Sequence, residues 1–305
     1  MIRASVDIGS NSVLLLACRM NKESGKIEKE LLNLSYITSL GKDLDKTKQF
    51  HPESMKATYE ALKDYKTQLE AIQFNPEDTI VTATEASRVA TNAPEFFKKI
   101  KDELGFHITK ISAQGEAHYT ALGVAAAVDT TSDIVIMDMG GASTELIKVH
   151  LHPFSILSTV SMPVGSVRAT DWRKEQIFED KIQKVLGIDF NPYKTKNLVC
   201  VAGSMTSLAS MFLGHNTFQD SEIDGLVIKF DSFREFSKDL QKTNVENLLL
   251  LFPYLGKRAP MVAAASYVAE LIGEKLNIET IQISTRGLRY GVLIQGVIDE
   301  RFILN

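Results

Sequence analysis

Asp138-Met139-Gly140-Gly141-Ala142-Ser143-Thr144-Glu145-Leu146 packs carboxylates, glycines and hydroxyls into the span of one tight turn. Asp7-Ile8-Gly9-Ser10-Asn11-Ser12, near the N-terminus, repeats its opening, again just after an apolar β-like run. Glycines let a backbone approach an anion and expose its N–H groups, and serine or threonine hydroxyls add donors. Such a turn holds a phosphoryl group without a full positive charge. The aspartate before each turn, Asp7 or Asp138, cannot bind phosphate directly, but it can hold a magnesium ion or orient water. A lone turn of this kind is more simply a β-hairpin whose glycines serve geometry alone. Two copies, each between strands, favour the chemical reading. They also suggest two related lobes facing each other across a cleft.

Working outward, residues 2–8 and 13–20 read as strands on either side of the first turn, with Lys26–Asn33 as a third. A helix begins at Pro52, where Met55, Tyr59, Leu62, Leu69 and Ile72 make one apolar stripe. Thr79–Ala83 reads as a short strand, Thr84–Arg88 as a polar segment at its end, and a helix starts near Pro94. His107–Ser112 is a strand and Gly115–Val128 an alanine-rich helix. The same order then begins again. Ile134–Asp138 and Thr144–Val149 flank the second turn, Phe154–Met162 adds a strand, Ser166–Leu186 a helix, and Leu198–Ala202 a strand running into a helix opened by Gly203 and Ser204. Asp231 reads as the N-cap of a helix through Leu240. Met261, Ala265, Val268, Ile272 and Leu276 form a helical stripe after Pro260, followed by a strand at Thr280–Ser284 and a closing helix over Leu288–Ile303. This alternation predicts an α/β chain with mixed sheets flanked by helices. With no Pro-, Gly- or Ser-rich linker, the boundary between lobes is expected in the helix around Leu122.

A length of 305 residues favours two domains. The 44% hydrophobic and 24% charged content is that of an ordinary soluble globular protein. A net charge of −4, from 34 basic and 38 acidic residues, argues against a dedicated nucleic-acid binder. Asp7 interrupts the first apolar run, unlike the core of a signal peptide, and no stretch is apolar enough for a membrane span. Cys18 and Cys200 lie in apolar strand-like runs without the neighbours of a zinc site or redox pair, so both read as buried free thiols. A cytoplasmic protein is the resulting expectation.

These segments resemble the exopolyphosphatase/guanosine pentaphosphate phosphatase family of the actin, hexokinase and sugar-kinase superfamily. The matching residues are Asp7–Ser12, Thr82-Ala83-Thr84 with Arg88, Ile111-Ser112 with Glu116-Ala117, Asp138–Leu146, Ala202–Ser207, Arg258-Ala259 and Gly287-Leu288-Arg289. The resemblance implies two ribonuclease-H-like (actin-like ATPase) lobes, residues 1–122 and 123–289, with phosphate in the cleft between them and a closing helix about 290–305 packing back onto the first. It implies magnesium-dependent attack of water on a terminal phosphoryl group of polyphosphate or guanosine pentaphosphate, and a possible homodimer. Glu116 falls on the family's catalytic glutamate, although an acid in a helix's first turn also suits the macrodipole without chemistry. Arg88 falls on the phosphate-binding arginine, where a salt bridge is the plainer alternative. Asp138, Asp7 and Glu145 take acidic and metal-holding positions, and Glu145 is equally readable as an exposed strand residue. Gly9, Ser10, Asn11 and Ser12 would cradle phosphate from one side and Gly140, Gly141 and Ser143 from the other. Gly203 and Ser204 would offer a helix N-terminus to an anion.

Four departures bear on turnover. Gly115 replaces an acid beside Glu116, which weakens that base, and His118 stands where an arginine is usual and reads as a surface residue. Ala142 replaces a third glycine, harmless if its φ stays negative, and Tyr290 replaces a glutamate. Longer relatives carry a further helical region, so this chain is expected to grip only short polyphosphates or a nucleotide's triphosphate end. The same departures motivate a second reading, a sensor that binds an alarmone, nucleotide or polyphosphate without cleaving it. Kinase-like transfer at Gly203 ranks lowest, because no sugar-binding segment is apparent.

Overall fold

The structure, a computed structural model, describes residues 1–128 and 130–304. The chain divides into two compact units, Met1–Val124 with the segment from Leu288 onward, and Ala125–Gly287.

In the first unit the strands are β1 (Ile2–Ile8), β2 (Ser12–Met20), β3 (Ile27–Ile37), β4 (Ile80–Ala83) and β5 (Ile108–Lys110), in the order β3-β2-β1-β4-β5. The three hairpin-linked strands are antiparallel, whereas β1, β4 and β5 run parallel. Parallel neighbours need crossovers, supplied here by helix Pro52–Ala71 and helix Ala93–Leu104. Ala4, Val6 and Ile8 alternate along β1 and pack with Leu62, Tyr65 and Leu69 of the first helix and Phe96 and Ile100 of the second. The opposite face is covered too. Leu16, Cys18 and Met20 meet Tyr290 and Leu293 of helix Leu288–Gln295, and Arg289 donates to the Leu15 carbonyl at 2.9 Å.

The second unit repeats this plan with β6 (Ile134–Met139), β7 (Thr144–Leu151), β8 (Phe154–Met162), β9 (Asn197–Val201), β10 (Val227–Lys229) and β11 (Thr280–Ile283). Its order, β8-β7-β6-β9-β11-β10, matches the first sheet strand for strand and adds antiparallel β10 at the edge. Three antiparallel strands followed by parallel ones, with helices on the faces, are the mixed sheets expected from the alternation and the ribonuclease-H-like arrangement implied by the resemblance. Met261, Ala265, Val268, Ile272 and Leu276 are all buried along helix Ala259–Leu276. Cys18 and Cys200 are buried free thiols, and burial pushes the Cys200 thiol up.

Several local expectations need correction. The polar segment Thr84–Arg88 does follow the end of β4, and most of it lies in a short helix, Glu85–Val89. The helix expected over Ser166–Leu186 is two, Ser166–Lys174 and Phe178–Val185, separated where Gln176 takes φ 58°. Asp231 lies inside helix Phe230–Lys242, whose N-cap is Lys229, so it caps nothing. The closing helix ends at Gln295, followed by Gly296 at φ 79°. The chain then turns through Glu300–Phe302 and bridges Ile303 to Ile111. Asn305, expected at the end of that helix, lies outside the described residues.

Candidate active site

The two acidic turns have the same internal geometry. Gly9 N–H donates to the Ser12 carbonyl at 3.0 Å, and Gly140 N–H donates to the Ser143 carbonyl at 2.9 Å. A Cβ on either glycine would sit 3.3 Å from that carbonyl oxygen. Glycine leaves room for this close approach, and these two amides are spent inside their turns. The tip carbonyls are drawn inward as well. Ser10 O accepts from Gly41, Asn11 O from Thr38 and Ser39, Gly140 O from Ser166, and Gly141 O from Val167 and Arg168. A planar trans peptide points its N–H opposite its C=O, so the Asn11, Gly141 and Ala142 amides turn away from these partners. Ala142 does not take a positive φ, so alanine is harmless there. Its carbonyl accepts from the Arg168 guanidinium.

Asp7 and Asp138 occupy equivalent strand ends, opposite Leu14 and Glu145 respectively. In the second unit this register sets two carboxylates side by side. Glu145 is 3% exposed, which rules out the reading as an exposed strand residue, and Ser161 Oγ donates to it at 2.6 Å.

In the first unit, Arg88 and Glu116 come together although 28 residues separate them. Helix Glu85–Val89 carries the arginine from the end of β4, and helix Ala113–Ala125 carries Glu116 in its first turn. Arg88 Nη1 and Nη2 both lie 3.0 Å from Glu116 Oε2. Nη2 also donates to Glu85 Oε2 at 2.9 Å, and Nη1 to the Ile111 carbonyl at 2.9 Å. The side chains of Arg88 and Glu116 are only 14% and 12% exposed, so solvent screens this pair weakly. Burial works against the guanidinium charge, but the Glu116 and Glu85 carboxylates outweigh it and hold Arg88 above its ordinary value. Glu85 was missed in the sequence. Its only signal is an acid three residues before Arg88 in the first turn of a helix, a pairing distance.

The departures from the family pattern have structural partners. A Cβ on Gly115 would lie 2.6 Å from Phe302 Cβ. His118 is not a plain surface residue. Its ring lies 5.0 Å from that of Phe302, its Nε2 is 3.4 Å from Gln295 Oε1, and burial pushes it below its ordinary value. Tyr290 is buried, and its hydroxyl donates to Glu30 at 2.7 Å. Gly115→Glu, which restores the missing acid, is therefore expected to destabilise the first unit by about 1–3 kcal/mol through overpacking. Chemical denaturation of the variant beside Gln114→Glu, at an exposed neighbouring position, checks this.

Gly203 and Ser204 open helix Ala202–Phe212. A Cβ on Gly203 would be 2.8 Å from Arg258 Nη2, and Arg258 Nη1 donates to Ser207 Oγ at 2.9 Å. Gly203 thus admits a guanidinium against the helix start, a role that the matching Arg258-Ala259 segment did not reveal. Burial pushes Arg258 below its ordinary value.

Among the described residues, no three His, Cys, Asp or Glu side chains gather into a metal cage. Magnesium does not need one, since it is commonly held by one or two carboxylates together with phosphate oxygens and water. The Asp138–Glu145 pair fits that donor set. No helix among the described residues is long and apolar enough to cross a membrane.

A 3-dehydroquinate synthase/phosphatase of Fusobacterium nucleatum, described as bifunctional, is 27% identical over 325 aligned positions, covering 97% of this chain. The chain spans 46% of that relative's length. The PPX-GPPA enzyme of Aquifex aeolicus superposes with a TM-score of 0.78 at 25% identity, covering 97% of this chain and 99% of that one. An exopolyphosphatase from Cytophaga hutchinsonii shares the fold with a TM-score of 0.84 at 22% identity, covering 97% and 99%. The model of the Ppx/GppA phosphatase family matches residues 21–300, nearly the whole chain, and the protein belongs to that family.

Proposed function

We propose that the protein hydrolyses the terminal phosphoanhydride bond of inorganic polyphosphate or guanosine pentaphosphate, with magnesium. The observation that carries this reading is the contact of Glu116 Oε2 with two nitrogens of Arg88, both at 3.0 Å. A carboxylate fixed in this way at a helix start has the defined orientation that a general base needs. The Glu116 carboxylate is assigned as the proton acceptor. Water oxygen forms a bond to the terminal phosphorus as its proton passes to Glu116. The bond to the bridging oxygen breaks, and the shortened polyphosphate or guanosine tetraphosphate leaves with the electron pair. Within each unit the turn tip supplies the phosphate donors, the Asn11 amide in the first and the Gly141 and Ala142 amides in the second. In the second unit Asp138 and Glu145 are the carboxylates proposed to hold magnesium, and Asp7 is the corresponding acid of the first unit's turn. When bound, the ion neutralises charge on the phosphoryl oxygens.

Arg88 acts in this scheme mainly by orienting Glu116, since two carboxylates and a carbonyl already engage it. That engagement also supports the second reading, a sensor that binds the same ligands without cleaving them. Phosphate release from each substrate, measured with magnesium and then with excess chelator, tests the proposal. Release is expected with at least one substrate and is expected to fall more than about tenfold on chelation. Calorimetric binding with no release over hours would select the sensor instead.

A further inference from the structure

We propose that Phe302 is a positioning residue for the Arg88–Glu116 pair, acting through the peptide group between Ile111 and Ser112. This rests on the reading of Glu116 as the base. The carbonyl of that peptide, Ile111 O, accepts from Arg88 Nη1 at 2.9 Å. Its N–H, on Ser112, donates to the Phe302 carbonyl at 2.8 Å. One rigid plane therefore has the arginine at one end and the C-terminal segment at the other. Ser112 also carries Glu116: its carbonyl accepts the Glu116 N–H at 2.9 Å, and its Oγ accepts the Gly115 N–H at 3.2 Å. Both members of the pair hang on the same two residues.

The segment that holds this plane is itself anchored on both sides. Leu304 N–H donates to Lys110 O at 2.9 Å, Ile303 bridges Ile111, and Asp299 N–H donates to the Tyr119 hydroxyl at 2.8 Å. The Phe302 side chain seats in the notch left by Gly115, where any side chain would meet it, and its ring lies 5.0 Å from His118 and 5.9 Å from Tyr119. Gly115 and Phe302 are thus one device. The acid usual beside the catalytic glutamate is absent, and its space holds the ring that locks the catalytic helix start. Small displacements of a positioned base carry large rate penalties.

The test compares the parent with Phe302→Ala, Phe302→Leu and Leu304→Pro, the last removing the N–H donor to Lys110 while keeping the ring. The kcat for polyphosphate or guanosine pentaphosphate is expected to fall about tenfold in Phe302→Ala with KM within about twofold, and Phe302→Leu is expected to recover most of the loss. Amide exchange at Ser112 and Glu116 is expected to quicken about tenfold, with β1 and β2 unchanged. If Phe302→Ala does not fold, Leu304→Pro carries the same comparison. Unchanged kcat in a folded variant, or a rise in KM alone, overturns the proposal. A parent inactive on both substrates overturns the catalytic reading instead, and exchange at Ser112 then decides whether the segment locks the helix start.

Discussion

Gly291→Ala is expected to destabilise the first unit by about 4 kcal/mol or more, at the exceptional end of single substitutions. A Cβ at this position would lie 1.8 Å from the Tyr119 carbonyl oxygen and 2.7 Å from its carbon. Overpacking usually costs about 1–3 kcal/mol because side chains can move aside. Here the obstacle is the backbone of helix Ala113–Ala125, the helix that carries Glu116. Relief requires helix Leu288–Gln295 to back away, and that helix seals one face of the first sheet through Tyr290 and Leu293. Denaturant unfolding should show the midpoint collapsing, whereas Gly287→Ala, where nothing lies within 4 Å of the added carbon, should change it little. A Gly291→Ala protein as stable as the parent would mean that the two helices do not cross as closely as described.

Gly291 also marks the limit of what could be read from the residues alone. The strands and the two acidic turns were legible because their signals are local. Alternation of Ala4, Val6 and Ile8 identifies a buried strand face, and glycine after aspartate between two such runs identifies the turn. Arg88 and Glu116 were legible only through the family resemblance, since nothing local brings residues from separate helices together. What escaped was tertiary. Phe302 fills the space above Gly115, Glu85 takes a second edge of Arg88, and Arg258 approaches Gly203, each contact made by residues whose own neighbours say little. The helix over Ser166–Leu186 was overrun for a related reason. The break falls at Glu175–Ile177, where Gln176 takes a left-handed backbone that its residue type does not announce.

The glycine turns illustrate a subtler shift in role. Their glycines were expected to donate to phosphate, yet the Gly9 and Gly140 amides are committed to Ser12 and Ser143. In the proposed scheme the donors lie one or two residues along, at the tips whose carbonyls are tied inward. Two turns with the same internal bonds in two units of matching strand order support the same task for both.

Glu116, held by Arg88, is the proposed proton acceptor. Glu116→Gln retains the side chain's shape and an oxygen able to accept from Arg88, but removes the basic carboxylate, so folding and ligand binding should persist while proton transfer is lost. Positioned general bases contribute about 10²–10⁴-fold, and a fall of that size is the expected result. The decisive measurement is the rate of phosphate release by parent and Glu116→Gln on the same substrate with magnesium, both proteins having been shown to be folded. A loss of two or more orders of magnitude in kcat, roughly 3 kcal/mol or more in the barrier, with binding retained, is expected if Glu116 takes the proton; equal rates would remove it from the mechanism.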